Sequence, residues 1–325
     1  MKIMDLISKN YYQPDPTWEM FGATSPDLFV EKFVVHPKFH TDVHEDVAKD
    51  YSIVEHMMAL CYYHYPMYEL SLDKLLRIYE MAINLRCYEL GIEKTLIDKN
   101  ERNKTKNLVQ LIDELIQIDM IPEFESVMHN IRKIRNFSSH PERYSNMGII
   151  AGQVIFPILN MINLIFLGKD SHVKNRHNFE LIKQKIIKLR DSLFILEQDG
   201  LKILAYDLDM HDCYKKGKDW ICIFSFLPII MNSEEKIRNH QSPDRVLRFL
   251  RSPIINEDSI SGFDIVNTEE VFLETTRKDE NIERLNKQFE SLKNSDKIDS
   301  FHFLNDSKEH ADRKSQQFIY ETRWV

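Results

Sequence analysis

Residues 131–143 read Ile-Arg-Lys-Ile-Arg-Asn-Phe-Ser-Ser-His-Pro-Glu-Arg, and the phase of one side chain in this stretch decides how the surrounding chain is read. Stepping 100° per residue from Phe124, the side chains of Val127, Met128, Ile131 and Ile134 gather on one helix face, and Arg135 points into the middle of that face. A guanidinium does not shed its charge. Among helix neighbours it requires carboxylate, phosphate or backbone oxygen partners, or an opening onto a wet cleft. Further on, His140 precedes Pro141. Proline disfavours helical geometry in the residue before it, so the helix is expected to break near Ser139 or His140. Positions i and i+5 of an unbroken helix lie about 140° apart; a turn at Ser138 and Ser139 would bring the imidazole back towards the guanidinium, beside an apolar groove.

An Arg-Asn-x-x-x-His run at a helix end follows a Leu-Ile-x-x-Leu helix (Leu111, Ile112, Leu115) and an acidic-aromatic helix (Ile78, Tyr79, Glu80). Together these resemble the HEPN domain family over roughly residues 51–168. In that family an arginine, a polar residue and a histidine lie in an all-helical bundle, and many members are metal-independent ribonucleases that act as dimers. Arg135, Asn136 and His140 match those three positions.

The resemblance implies an endoribonuclease of toxin or phage-defence type, restrained by a partner or ligand. It would cut RNA through the 2′-hydroxyl, leaving 2′,3′-cyclic phosphate and 5′-hydroxyl ends, with no metal or other cofactor. His140, with an unperturbed pKa near 6.5, would exchange protons at neutral pH. Arg135 would fork onto the phosphate, Asn136 would orient the imidazole or the phosphate, and Ser138 or Ser139 would add a donor. Glu80 is a candidate counter-charge for Arg135 or Arg86. One histidine does not easily serve as both base and acid, so a homodimer with a composite site is expected. The alternative is a catalytically inactive HEPN-like scaffold, or a nucleotide- or partner-binding protein, in which Arg135 is a structural ion pair and His140 a helix C-terminal cap.

Composition bounds both readings. A chain of 325 residues with 43% hydrophobic and 29% charged residues is long enough for two domains. Four scattered cysteines read as packed, reduced thiols, and the first residues lack the apolar run of a signal peptide, so a cytoplasmic location is expected. A net charge of -8 excludes coating of nucleic acid through bulk charge and leaves local basic patches. The patches weighed for RNA are Arg132, Lys133 and Arg143 beside the motif, and residues 169–190, where Lys174 and Arg176 belong to seven Lys/Arg against two acids, with His172 and His177 added. A solvated helix face is the competing reading. Residues 144–168 carry no charge, but Gln153, Pro157, Asn160 and Asn163 interrupt them, which favours a buried bundle helix over a membrane span.

The expected fold class is α+β: an irregular N-terminal arm (1–48), an all-α HEPN-like bundle (49–197) and a smaller C-terminal α+β domain (198–325). In the arm, closely spaced prolines preclude a long helix, and Tyr11, Tyr12, Trp18 and Phe21 are expected to anchor it. His36, His40 and His44 have a spacing that suits a metal on a helix, but Pro37 leaves His36 outside any regular turn, so surface histidines are the plainer reading. Helices are expected over 50–63 and 72–90, the second capped by Ser71 and Gly91, then a loop over 98–106 and a helix from Leu108. Beyond Gly200, residues 201–208, 219–227, 263–275 and 318–325 read as strands and 281–292 as helix. The run Asp207-x-Asp209-x-His211-Asp212 suits either a metal or a turn after a strand.

Overall fold

The computed structural model describes residues 11–97, 103–138, 152–198, 201–239 and 241–324. The fold is α+β, and the chain divides into two compact units, Met1–His172 with Tyr320–Val325, and Val173–Ile319.

In the first unit the helices are α1 (Pro26–Phe33), α2 (Glu45–Leu60), α3 (Met67–Glu89), α4 (Leu108–Asp119), α5 (Glu125–Ser138) and α6 (Gly152–Phe166). The central one is α3, which packs against α2, α4, α5 and α6. Its apolar residues recur at helical spacing, so Leu72, Leu75, Leu76, Tyr79 and Ile83 are all buried. Gly91, at φ 70°, ends it: the Gly91 N–H donates to the Tyr88 carbonyl and the Ile92 N–H to the Cys87 carbonyl, a Schellman closure. Ser71 is not the N-cap expected of it; the helix starts earlier, after Pro66, and the buried Ser71 hydroxyl donates back to the Met67 carbonyl. α4 opens on a capping box of Asn107 with Gln110. Strand β1 (Thr95–Ile97), just before the expected loop, pairs antiparallel with β2 (Asn103–Thr105) inside it.

The uncharged α6 runs through Pro157 and buries nine residues, among them two asparagines. Asn160 Oδ1 accepts from Trp324 Nε1 at 2.8 Å. Asn163 accepts from the His40 N–H at 2.6 Å and donates to the Lys38 carbonyl at 3.2 Å. The polar interruptions seen in the sequence thus fasten the arm and the C-terminal residues of this unit onto the helix. No single helix among the described residues is long and apolar enough to cross a membrane.

In the arm, Trp18 is fully buried, donates to the Cys61 carbonyl and packs on Phe29 and Tyr68. Tyr11 and Tyr12, expected as anchors, are exposed. The three arm histidines do not share a helix: His36 pairs with Glu55, His40 lies near Asp42, and His44 caps α2.

The second unit is built on a closed barrel of six antiparallel strands: β3 (Phe194–Gln198), β4 (Leu201–Lys216), β5 (Asp219–Pro228), β6 (Val246–Ile255), β7 (Ser259–Asp264) and β8 (Glu269–Thr275), with β8 pairing back onto β3. Inward residues such as Phe194, Leu196, Phe224, Phe226, Leu250, Ile260 and Leu273 fill it. Phe179, Ile182 and Ile186, on the part of α7 (Lys169–Ile186) that belongs to this unit, pack against that core. Helices α8 (Ser233–Arg238), α9 (Asp279–Asn294) and most of α10 (Lys297–Arg323) complete the unit.

Three expectations fail here. The run 263–275, read as one strand, is the end of β7, a turn and β8, which pair antiparallel. The expected strand over 318–325 does not form among the described residues: α10 runs to Arg323. The Asp207 to Asp212 run is neither a turn nor a metal group but part of β4, whose polar side chains hold neighbours: Asp207 pairs with Arg245, Asp209 with Lys308 and His211 with Asp312. Asp207 takes φ 51° at a register shift of the β4–β5 ladder, which aims its carboxylate at Arg245.

Candidate functional site

The site forms on α5 where it meets α3. Met128 and Ile131 are buried on one face of α5, and the Tyr79 hydroxyl of α3 donates to the Met128 carbonyl at 3.2 Å. This anchors the two helices with Arg135 and Glu80 near the same seam. Arg135 Nη2 donates to Glu80 Oε2 at 2.7 Å, and Nη1 to Asn136 Oδ1 at 3.3 Å. The two charged side chains remain 34% and 32% exposed, so the seam opens to solvent at this point. Arg86, an arginine of α3 itself, is taken by Asp119 and Glu89. Glu80 is therefore the counter-charge of Arg135 and not of Arg86.

One turn towards the N-terminus of α5, a second polar set lies alongside. His129 Nε2 meets Asp113 Oδ1 of α4 at 3.0 Å, and Arg132 Nε points at His129 Nδ1 at 3.4 Å. Arg132, Arg135 and Asn136 follow at i+3 and i+4 spacing, so they share one flank of the helix. Lys133 stands exposed beside them, within reach of Asn130. Sequence reasoning passed over His129 and Asp113. The i, i+3 spacing of His129, Arg132 and Arg135 was legible, but the acid that orients the imidazole comes from another helix.

Asp113, Glu125 and His129 bring ligand atoms within 4.8 Å of one another and are the one such group among the described residues. Their donor set, two carboxylates and an imidazole, is that of a divalent cation. The Arg132 cation beside the ring opposes that use: a metal-bound imidazole donates from its other nitrogen, and here that nitrogen faces a donor.

Of the residues singled out in sequence, Arg135, Asn136 and Glu80 are brought together, with Arg132 and Lys133 on the same helix. Ser138 is the last residue of α5; Ser139, His140 and Arg143 lie outside the described residues. Lys174 and Arg176 belong to the second unit, where Arg176 pairs with Glu180 and lies over the Phe179 ring. His172, counted with that basic stretch, is buried in the first unit against Phe124 and presents no surface to RNA.

What the arrangement can do chemically follows from its donors. A guanidinium presents a planar fork that grips a phosphate in two places, and Glu80 holds that fork in orientation. Comparison of the chain with family models, with curated proteins and with solved structures gave no match.

Proposed function

We propose that this chain is a metal-independent endoribonuclease of the HEPN type, of a toxin or phage-defence setting, that cleaves RNA through its 2′-hydroxyl at a composite site of a cytoplasmic homodimer. The observation that carries this reading is the lodging of Arg135 in the buried seam of α5 while a third of its side chain stays open to solvent. A purely structural cation in that seam has no need of the opening. In this mechanism Arg135 binds the scissile phosphate as negative charge builds on it, with Glu80 fixing the fork. Asn136 orients the phosphate or the imidazole. His140 takes or returns the proton, and its counterpart across the two-fold axis performs the opposite transfer. Arg132 and Lys133 hold adjoining phosphates. The second unit serves as the regulatory or substrate-selecting module.

The Arg135–Glu80 contact at 2.7 Å also favours a second reading, in which the pair ties α5 to α3 in a non-catalytic scaffold. One experiment separates the two. Purified protein is incubated with total RNA, with and without EDTA, alongside the Arg135→Ala and His140→Ala variants. Catalysis predicts cleavage indifferent to EDTA, cyclic phosphate ends, intact DNA, and loss of cutting in both folded variants. His140→Ala cutting like the wild type would end the nuclease reading. A wild type with no cleavage, and an Arg135→Ala variant weakened by about 1 kcal/mol, the scale of a partly exposed ion pair, would establish the scaffold.

A further inference from the structure

Two thiols face each other inside the barrel. Lys216 pairs with Asp219 across the two-residue turn Gly217–Lys218, and counting back from that turn sets Cys213 directly opposite Cys222 in the β4–β5 ladder. Both are buried, at 1% and 0% exposure, and their sulfurs lie 3.0 Å apart. Directly opposed residues of an antiparallel pair have Cβ atoms about 4.5–5.5 Å apart. A disulfide takes about 3.5–4.5 Å, so the two need only a small approach to bond.

The surroundings distinguish the two sulfurs. Asn178 Nδ2 donates to Cys213 Sγ at 3.1 Å, a polar contact that Cys222 does not receive. The Cys222 thiol is pushed up, first by its hydrogen bond with Cys213 and then by burial, so it keeps its proton. Cys61 and Cys87 are equally buried but have no cysteine beside them; their sulfurs meet the Met57 and Leu111 carbonyls.

The geometry points to Cys213 and Cys222 as an oxidation site, at which a peroxide converts the thiol pair into an intramolecular disulfide that staples β4 to β5. The Cys213 sulfur attacks a peroxide oxygen; the O–O bond breaks, leaving a sulfenic acid and a hydroxide that leaves as water once protonated. The Cys222 sulfur then attacks the Cys213 sulfur. The S–S bond forms, the S–O bond breaks, and the departing hydroxide takes the Cys222 proton. Two thiols and one hydrogen peroxide give one disulfide and two waters, with two electrons passing from the sulfurs to the peroxide oxygens.

The full chain, natively folded at neutral pH, is treated with hydrogen peroxide and quenched. It is then alkylated with N-ethylmaleimide in denaturant and mapped by mass spectrometry, with Cys61 and Cys87 as internal controls. The expected result is a linked peptide pair containing Cys213 and Cys222, lighter by two hydrogen atoms and released by dithiothreitol, while Cys61 and Cys87 carry the label. The thermal midpoint rises on oxidation in the wild type and not in Cys222→Ser. Full labelling of Cys213 and Cys222 after a treatment that oxidises glutathione in the same tube would overturn the assignment. So would a linkage that forms only when denaturant precedes the peroxide. Should the serine variant fail to fold, the wild-type peptide map decides by itself.

Discussion

His172 illustrates what a single buried group does to the pH response. It is 1% exposed, and its ring packs edge-on against that of Phe124 with the centroids 5.1 Å apart. Burial, reinforced by the positive charge of Arg323, pushes its pKa down to about 4 from the usual 6.5. The folded chain therefore holds this imidazole neutral at pH values where the unfolded chain protonates it. The contribution is fully present above pH 6.5 and is lost as pH falls towards 4, an effect on the order of 3 kcal/mol. Urea unfolding at pH 7.5 and pH 5 should show this loss in the wild type and a shallower one in His172→Phe; equal slopes would place the pH sensitivity elsewhere. Residues of this kind mark where sequence reading stops. His172 was grouped with a basic run because composition registers charge but not phase. The burial of Met128 and Ile131 on one face of α5 was legible because helical phase is a local property, although Val127, assigned to the same face, is exposed. Arg135 meets Glu80 of α3. Its partner Glu80 stood only as one option, since a contact between residues of different helices has no local signature.

At the scale of elements, α6 shows polar atoms fixing an apolar helix in place. The Asn163 amide satisfies the His40 N–H and the Lys38 carbonyl. Asn163→Leu, close in volume, leaves both backbone groups unpaired, and a loss of about 3 kcal/mol is expected from the usual cost of stranding buried polar groups. The midpoint of chemical denaturation measures it, and a change below about 0.5 kcal/mol would mean that the arm finds other partners. Tertiary contacts of this kind also explain an element misread from sequence. Phe318, Ile319, Tyr320 and Trp324 are strand-forming residue types, yet the first three lie in the last turns of α10 and Trp324 follows its end. There the Tyr320 hydroxyl accepts from the Lys38 N–H and donates to the His36 carbonyl, and Trp324 reaches Asn160. Packing overrode propensity. β6 escaped notice for the opposite reason: Arg248, Arg251 and Pro253 break up its apolar run, and Arg248 is nevertheless 2% exposed, its guanidinium donating to the Leu247 and Glu197 carbonyls. The α3 and α4 helices were legible because periodicity, caps and Gly91 agreed.

At the scale of the whole molecule, each unit has a core of its own: the α3 contacts in one and the barrel interior in the other. Leu250 is fully buried in the barrel. Leu250→Ala should remove about 2–5 kcal/mol, the range for emptying a leucine site. Native-state hydrogen exchange should register that loss in β4, β5 and β6 while the slowest amides of α3 keep their protection. An equal loss in both would show one cooperative block. The α+β class was legible from the shift from helical to strand-like patterns past residue 200, but barrel closure was not, because ring closure depends on which strand meets which and no local pattern encodes that. The pairing that seals the ring joins Phe194 to Thr275, the first strand of the barrel to its last. A ribosome therefore extrudes β3 long before its second neighbour exists, and for that interval the nascent chain carries an unzipped flank of bare amides able to seize the same flank on another chain. Translation that stops short of Glu269 would make that interval permanent and yield an insoluble product, however well the preceding helices had assembled.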